Sequence, residues 1–311
     1  MKILICPLNW GLGHATRCVP VIKRLIAEGH EVVLVSDGFP LEFLRQEFPF
    51  LQFIEYPSYS VYYASGKSQI GAMLFNSPNI IKGILNEHSR LKQILQTEHF
   101  DQVISDNRFG MWNKRIHSIY MTHQLMIKMP FGLKFLEPLV WLIHRWFITR
   151  YDECWIPDAE ENGGLSGDLS HKYPLPKNGT FIGTLSRFQG MQNNSSNTEY
   201  EVVCILSGIE PQRTILEESL IKRFRPAKHK TLIVSGKPCA EKKESQLDNI
   251  TIVSHLHDSE LASVLIGSKR IISRSGYSTI MDLTALACLN KAELIPTPGQ
   301  TEQEYLASIH I

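Results

Sequence analysis

A strand-like apolar run that breaks at a glycine turn and resumes with helical spacing occurs at both ends of the chain. Near the start, Lys2-Ile3-Leu4-Ile5-Cys6 leads into Asn9-Trp10-Gly11-Leu12-Gly13-His14-Ala15-Thr16-Arg17. Far downstream, Arg270-Ile271-Ile272-Ser273 leads into Arg274-Ser275-Gly276-Tyr277-Ser278-Thr279, with Asp282 one helical turn further on. Strand, tight turn and helix N-terminus is the geometry that aims backbone N–H groups at an anion. One such turn is a weak signal, but two, each opening its own α/β segment, predict a cleft between two nucleotide-fold domains.

The rest of the pattern agrees. Short β-branched or aliphatic runs alternate with amphipathic stretches, as βαβ units of a parallel sheet require. Strands are predicted at Lys2–Cys6, Glu31–Ser36, Gln52–Tyr56, Gln102–Ser105, Ser118–Thr122, Glu153–Pro157 and Thr180–Ile182, with helices at Arg17–Glu28, Leu41–Phe48 and Asn79–Gln96. A polar, aperiodic stretch at 186–198 reads as a linker. After it come strands at Glu201–Leu206, Thr231–Ser235, Thr251–Val253 and Arg270–Ser273, and helices at Pro211–Phe224, Ser259–Gly267 and Ser278–Ala287. The expected domains are therefore 1–185 and 199–311, and 311 residues suit two cores better than one.

A net charge of +1 gives no field that would favour nucleic acid. The cysteines at 6, 18, 154, 204, 239 and 288 fall singly, without metal-ligand spacing, so reduced thiols in a cytoplasmic protein are expected. The N-terminal apolar run is too short for a signal peptide and enters a glycine turn instead of a cleavage site. Residues 131–147, rich in Phe, Leu and Trp, are too interrupted by Lys134, Glu137 and Arg145 to span a bilayer. Two readings stand for them. One is a helix packed on the first domain; the other is an aromatic and basic surface lying against membrane or a lipid-linked substrate.

His14 follows its glycines where a strand feeds a helix, and the positive end of a helix dipole opposes protonation, which suits a neutral base. The alternative is a histidine that merely caps the turn. Asp106 and the pair His123-Gln124 end strand-like runs, and polar residues at strand carboxyl ends gather at the crevice of an open α/β sheet. On the other side, Ser207-Gly208 and Ser275-Gly276 offer free backbone for a phosphate, with Ser278 and Thr279 hydroxyls nearby. Asp282 suits a pair of ribose hydroxyls, or else compensates the helix dipole. Pro298-Gly299-Gln300-Thr301-Glu302-Gln303 reads as a loop whose amides and acids suit sugar hydroxyls. There is no P-loop, no GxSxG elbow, no HExxH and no Asp-x-Asp metal anchor. Diphosphate charge would then fall to helix dipoles, backbone amides and Arg, with no obligatory metal or cofactor.

These motifs, in this order, resemble the GT-B glycosyltransferases, specifically the group containing the peptidoglycan UDP-N-acetylglucosaminyltransferase and plant monogalactosyldiacylglycerol synthase. Gly11-Leu12-Gly13-His14, with Arg17 following, is similar to that group's N-terminal glycine loop and active-site histidine. His123-Gln124 resembles its acceptor-side His-Glu pair, with Gln replacing the acid. Gly183-Thr184-Leu185-Ser186-Arg187 is similar to the stretch whose Arg meets the donor diphosphate. Ser207-Gly208 resembles the C-domain glycine loop, and His255-Leu256 falls where backbone contacts to uracil are placed. The run from Ser273 through Ser275, Gly276 and Thr279 to Asp282 resembles the nucleotide-binding Ser-Gly-x-x-Thr-x-x-Glu motif. Gln300, Glu302 and Gln303 resemble the sugar-reading loop. Members of the group continue with helices that finish the C-domain and cross back to the N-domain, whereas this chain stops at Ile311, so an incomplete second domain is expected.

The resemblance implies two Rossmann-like parallel-sheet domains facing a central cleft. It also implies an inverting, metal-independent transfer of sugar from a UDP-linked donor to the hydroxyl of a glycan or lipid acceptor of the cell envelope, at the inner face of the membrane. His14 is the first candidate for general base and Asp106 the second. A nucleotide-sugar epimerase of the same fold and a non-catalytic sugar-nucleotide-binding protein are the alternatives.

Overall fold

A computed structural model describes residues 1–57, 69–191 and 198–310, with side chains omitted for 69–78. Its first half alternates strand and helix, except where β5 follows β4 directly: β1 (Lys2–Pro7), α1 (Leu12–Ala27), β2 (Glu31–Ser36), α2 (Gly38–Glu47), β3 (Gln52–Glu55), α3 (Gln69–Thr97), β4 (Gln102–Asp106), β5 (His117–Met121), α4 (Glu137–Ile148), β6 (Glu153–Ile156), α5 (Asp168–His171) and β7 (Gly179–Phe181). These strands form one seven-stranded parallel sheet in the order β3-β2-β1-β4-β5-β6-β7. Helices cover both faces, which is why a strand such as Ile3-Leu4-Ile5-Cys6 is apolar at every position and at most 1% exposed.

The second half holds β8 (Val202–Ile205), α6 (Gln212–Phe224), β9 (Thr231–Val234), β10 (Glu244–Leu247), β11 (Ile250–Val253), α7 (Asp258–Gly267), β12 (Arg270–Ser273), α8 (Tyr277–Ala285), β13 (Ala292–Leu294) and α9 (Thr301–Ile309). Its sheet runs β10-β11-β9-β8-β12-β13, parallel except for β10. Strand order reverses between β1 and β4 in one sheet and between β8 and β12 in the other. Ligand crevices of open α/β sheets lie at such switch points, beyond the strand carboxyl ends. The two glycine turns follow β1 and β12, so both sit there.

Besides the single-turn α5, three elements escape the sequence reading. β10 is polar and exposed, the first strand of an edge hairpin with β11, and carries no apolar alternation. β13 has three residues. The third is α9, which takes up Thr301, Glu302 and Gln303 as its first turn, so the stretch expected to be a loop is a helix N-terminus with Gln300 as its cap. The stretch from 186 also departs from a solvated linker: Ser186 is buried, and Phe188 is part of the core formed with Val203, Leu232 and Ile271. Residues 192–197 lie outside the described residues.

The C-terminal segment reaches the first domain. Tyr277, Ile280 and Met281 of α8 and Leu306 of α9 are buried in one cluster with Ile5, Ala15, Cys18 and Ile22. Tyr305 accepts a hydrogen bond from the Asp168 amide at 2.7 Å, and His310 Nε2 contacts the Leu165 carbonyl at 2.7 Å. Leu306→Ala is expected to destabilise the fold by about 2–5 kcal/mol, because a fully buried leucine leaves a cavity shared by both halves. Urea denaturation monitored by tryptophan fluorescence measures it.

Candidate active site

A cavity of about 480 Å³ opens between the carboxyl edges of the two sheets. Three glycine turns build it. Gly11 caps α1 at φ 104° and ψ 172°, a backbone open essentially to glycine alone. Gly208, after β8, has φ 103°, and a Cβ on Gly11 would stand 3.6 Å from its Cα. Gly13 faces α8 so closely that a Cβ there would meet Ser278 Oγ at 3.0 Å, and Ser278 Oγ donates to the Gly13 carbonyl at 2.8 Å. The N-termini of α1 and α8 therefore abut across the cleft. Neither carries a side-chain cap, so first-turn N–H groups of both are placed for an anion. Gly11→Ala is expected to cost about 1–3 kcal/mol in backbone strain, read as a lowered midpoint in thermal melts.

Of the individual side chains and glycines proposed from the sequence to act on or contact substrates, all but Asp106 and Ser275 line this cavity. Ser275 is buried, and its hydroxyl donates to the Gln303 carbonyl at 2.7 Å, pinning α9 to the turn before α8. Asp106 is fully buried behind His14, where no acceptor hydroxyl reaches it. It is therefore corrected from a candidate base to a carboxylate that holds other groups. Arg17 donates to it through Nε at 2.7 Å and through Nη2 as well. Burial alone would raise the Asp106 pKa, yet Arg17 and His14 hold it down to about 2.

Arg17 organises the first-domain wall of the cavity. It lies one helical turn after His14 on α1, and Asp106 at the end of β4 fixes its guanidinium as a bidentate pair. Its Nη1 donates to His123 Nδ1 at 2.9 Å, and its Nη2 lies 2.9 Å from His14 Nδ1. Asp106 Oδ1 is 3.3 Å from that same His14 nitrogen. A proton on Nδ1 goes to Asp106 and leaves Nε2 with a lone pair; an unprotonated Nδ1 accepts from Arg17 and leaves Nε2 a donor. Asn107, next in the chain, lines the cavity at φ 56°, a left-handed conformation that asparagine tolerates.

On the facing wall, Asp282 Oδ1 accepts from Ser186 Oγ at 2.7 Å and Oδ2 from Arg187 Nε at 3.3 Å. Burial pushes the Asp282 carboxyl up, with Arg187 and Ser186 opposing. Arg187 also pairs with Asp258 at 2.9 Å, so it bridges two carboxylates. Lys128 pairs with Asp168 at 2.8 Å. Every Arg and Lys on the cavity wall is thus already in an ion pair, and a diphosphate would have to recruit Arg187 from its carboxylates or rest on backbone N–H groups. Gln303 Oε1 accepts from the Thr297 amide at 2.8 Å, which orients its side chain. His255 Nδ1 contacts Ser254 Oγ at 2.9 Å.

The sequence reading gave no role to Tyr277 or Ser186, and their signals are weak: a tyrosine inside a glycine turn and a serine in a polar run. Tyr277 stacks flat on His123 at 4.1 Å between ring centroids, and its hydroxyl donates to the Pro157 carbonyl at 2.9 Å. A separate cavity of about 650 Å³, lined by Lys92, Trp112, Lys114 and Arg115, opens before the starts of β4 and β5. It lies at the opposite edge of the sheet from the glycine turns. Among the described residues, no group of three or more His, Cys, Asp or Glu is placed to hold a metal, and no helix is long and apolar enough to cross a membrane.

Residues 131–147 include most of α4, which packs on the first domain by a few residues and leaves the rest of its apolar face exposed. Glu137, His144 and Ile148 of α4 pack inward, while Leu139, Leu142, Ile143 and Trp146 stay exposed beside Phe131 (90% exposed) and Phe135. Cations sit on the aromatic rings: Arg150 lies 3.7 Å from the Trp146 ring centre and Arg145 5.4 Å from that of Trp141. Ile127, Lys128 and Pro130 line the cavity, so this surface begins at its rim.

No protein-family model matches the chain, and no curated protein sequence does. Solved structures do. A spinosyn rhamnosyltransferase superposes with a TM-score of 0.61 at 13% identity, covering 99% of this chain and 84% of its own. A glycosyltransferase from Streptomyces sp. SF2575 gives 0.58 at 12% identity, with 99% and 86% covered. UGT2 of Phytolacca americana, complexed with UDP-2-fluoro-glucose and pterostilbene, gives 0.55 at 13% identity, with 99% and 82% covered. At these identities the likeness establishes the fold, which is the two-domain GT-B arrangement.

Proposed function

We propose that this protein is a glycosyltransferase that moves a sugar from a nucleotide donor, UDP-linked, to an acceptor hydroxyl, with inversion and without an obligatory metal. The observation that carries the reading is the single cavity in which the His14 turn, the Gly208 turn and the Gly276 turn meet. The donor diphosphate rests against the N-termini of α1 and α8 and the Ser207–Gly208 backbone, whose N–H groups offset its growing charge. Arg187 exchanges a carboxylate for a phosphate oxygen. Asp282 takes ribose hydroxyls, His255–Leu256 flank the base, and Gln300, Glu302 and Gln303 face the sugar. In the tautomer whose Nδ1 proton rests on Asp106, as opposed to the one that accepts from Arg17 Nη2, His14 presents Nε2 to the acceptor hydroxyl as general base.

The apolar surface at the cavity rim supports a lipid or lipid-linked acceptor, approached while Phe131, Phe135 and Trp146 rest in the membrane interface. Sedimentation with vesicles containing anionic lipid is expected to carry down the wild-type protein. A variant with Phe131→Ser, Phe135→Ser and Trp146→Ser should remain in the supernatant at the same stability.

The test of the activity is incubation of the full chain with labelled UDP-sugars, with and without lipid and glycan acceptors, in the presence of EDTA. Transfer to an acceptor with inverted anomeric configuration is the expected result. A new sugar epimer formed without acceptor identifies an epimerase, and nucleotide binding with neither transfer nor hydrolysis identifies a non-catalytic binding protein. Either outcome overturns the proposal.

A further inference from the structure

One side chain of the donor half is held from the acceptor half. Glu302, in the first turn of α9, receives a hydrogen bond on Oε1 from His123 Nε2 at 2.8 Å across the cleft. The proton on that nitrogen is dictated from behind. Arginine has only donors, so the 2.9 Å contact from Arg17 Nη1 makes His123 Nδ1 an acceptor and leaves the ring proton on Nε2. Arg17 is itself fixed by both oxygens of Asp106. The imidazole cannot rotate away, because it lies flat on the Tyr277 ring and is 5% exposed. Burial, reinforced by Arg17 and His14, outweighs the Glu302 charge and keeps the His123 pKa below its ordinary value, so the ring is neutral near pH 7. Donors and acceptors therefore run one way, from Arg17 to both Asp106 and His123, and from His123 to Glu302. The second oxygen of Glu302 has no partner among the described residues, and the side chain lines the cavity.

We propose that His123 and Arg17, although on the acceptor half, are positioning residues for the donor sugar. They hold Glu302 as an ionised acceptor with one oxygen committed and one turned to the cleft, and so select a nucleotide sugar that presents a free hydroxyl for donation there. This inference rests on the glycosyl-transfer reading above. It assigns the discrimination between a fully hydroxylated hexose and a deoxy sugar to a contact formed between the two halves. A carboxylate on a free α9 turn would sample many rotamers; tied to His123, it meets the sugar already oriented, which is where preorganisation adds to affinity.

Calorimetry on the full chain with UDP, TDP and their glucose, galactose, N-acetylglucosamine and deoxyhexose esters tests it. Wild type is expected to bind one hydroxylated nucleotide sugar at least about tenfold more tightly than its deoxy analogue, as a hydrogen bond to a charged group implies. His123→Phe keeps the ring on Tyr277 but removes the donor, and should erase that ratio while affinity for the bare nucleotide stays the same. His123→Gln restores a donor and should recover part of it. An unchanged ratio in His123→Phe, or no discrimination in wild type, overturns the inference and leaves glycosyl transfer standing. Failure of wild type to bind any nucleotide overturns the glycosyl-transfer reading itself, and this inference falls with it. A readout independent of ligand is the nitrogen-15 spectrum of the His123 ring. Nδ1 unprotonated and Nε2 protonated is expected, and the opposite tautomer refutes the relay even where His123→Phe fails to fold.

Discussion

His14→Ala is expected to lower turnover roughly 100- to 10,000-fold, the range for loss of a general base, while leaving the dissociation constant for UDP within about twofold. The asymmetry follows from where the imidazole sits. His14 opens onto the cavity from the first turn of α1, its Nδ1 beside Asp106 and Arg17, whereas Asp282, His255 and Gln300 line the cavity from the other half. Removing the ring strips the group that receives the acceptor proton without touching those that hold the nucleotide. Initial rates of sugar transfer paired with UDP titration by calorimetry separate the two quantities. A parallel loss of UDP affinity would recast His14 as a ligand contact. Asp106→Asn refines the point: with an amide behind it, His14 Nδ1 loses its charged acceptor, and the tautomer accepting from Arg17 prevails. That variant should therefore lose turnover as well, with UDP binding again retained.

How far the site was legible in the sequence depends on the reach of each signal. The glycine turns were legible because a local rule demands them: Gly11 and Gly208 have positive φ, and Gly13 must leave room for Ser278. Strands such as Ile3–Cys6 were legible because burial on both faces leaves an unbroken apolar run. The exposed hairpin strand Glu244–Leu247 has no such run and went unread. Helix α9 hid for a different reason. Its first turn is written in Gln and Glu that face the cavity, and its apolar contribution is chiefly Leu306 and Ala307. The packing of that helix on the first domain decides how the cleft closes, and nothing local to 301–309 announces it. The same holds for the link among Asp106, Arg17, His123 and Glu302. Each member was picked out by motif or by its place at a strand end. Their mutual contacts join residues 89 to 179 positions apart, and only the folded chain brings them within hydrogen-bond reach.

Arg17→Met should carry the largest effect on stability, about 3–5 kcal/mol at neutral pH, because it leaves the fully buried Asp106 carboxylate without its cation. The pH dependence gives the prediction its sign. In the wild type, Asp106 is held down to about 2, below its value of about 4 in the unfolded chain. Its contribution is therefore fully present above pH of about 4 and is lost as pH falls toward 2. Without Arg17 the order of pKa values inverts. Burial, the first influence on this group, then dominates and lifts the folded-state pKa above the unfolded one. The variant consequently gains stability as pH falls from neutrality through that raised value, over a window where the wild type gains nothing from Asp106. Urea melts of both proteins at steps between pH 7 and pH 4 read the difference directly, and a variant whose deficit stays constant across that range would show that the ion pair does not set it. The double variant Arg17→Met with Asp106→Asn removes the stranded charge and should recover part of the loss at pH 7, with little pH dependence of its own. Recovery of stability in that protein without recovery of turnover would separate the two tasks of the pair, since a neutral amide can fill the space behind His14 but carries no negative charge to favour its Nδ1 proton and the imidazolium formed on proton transfer.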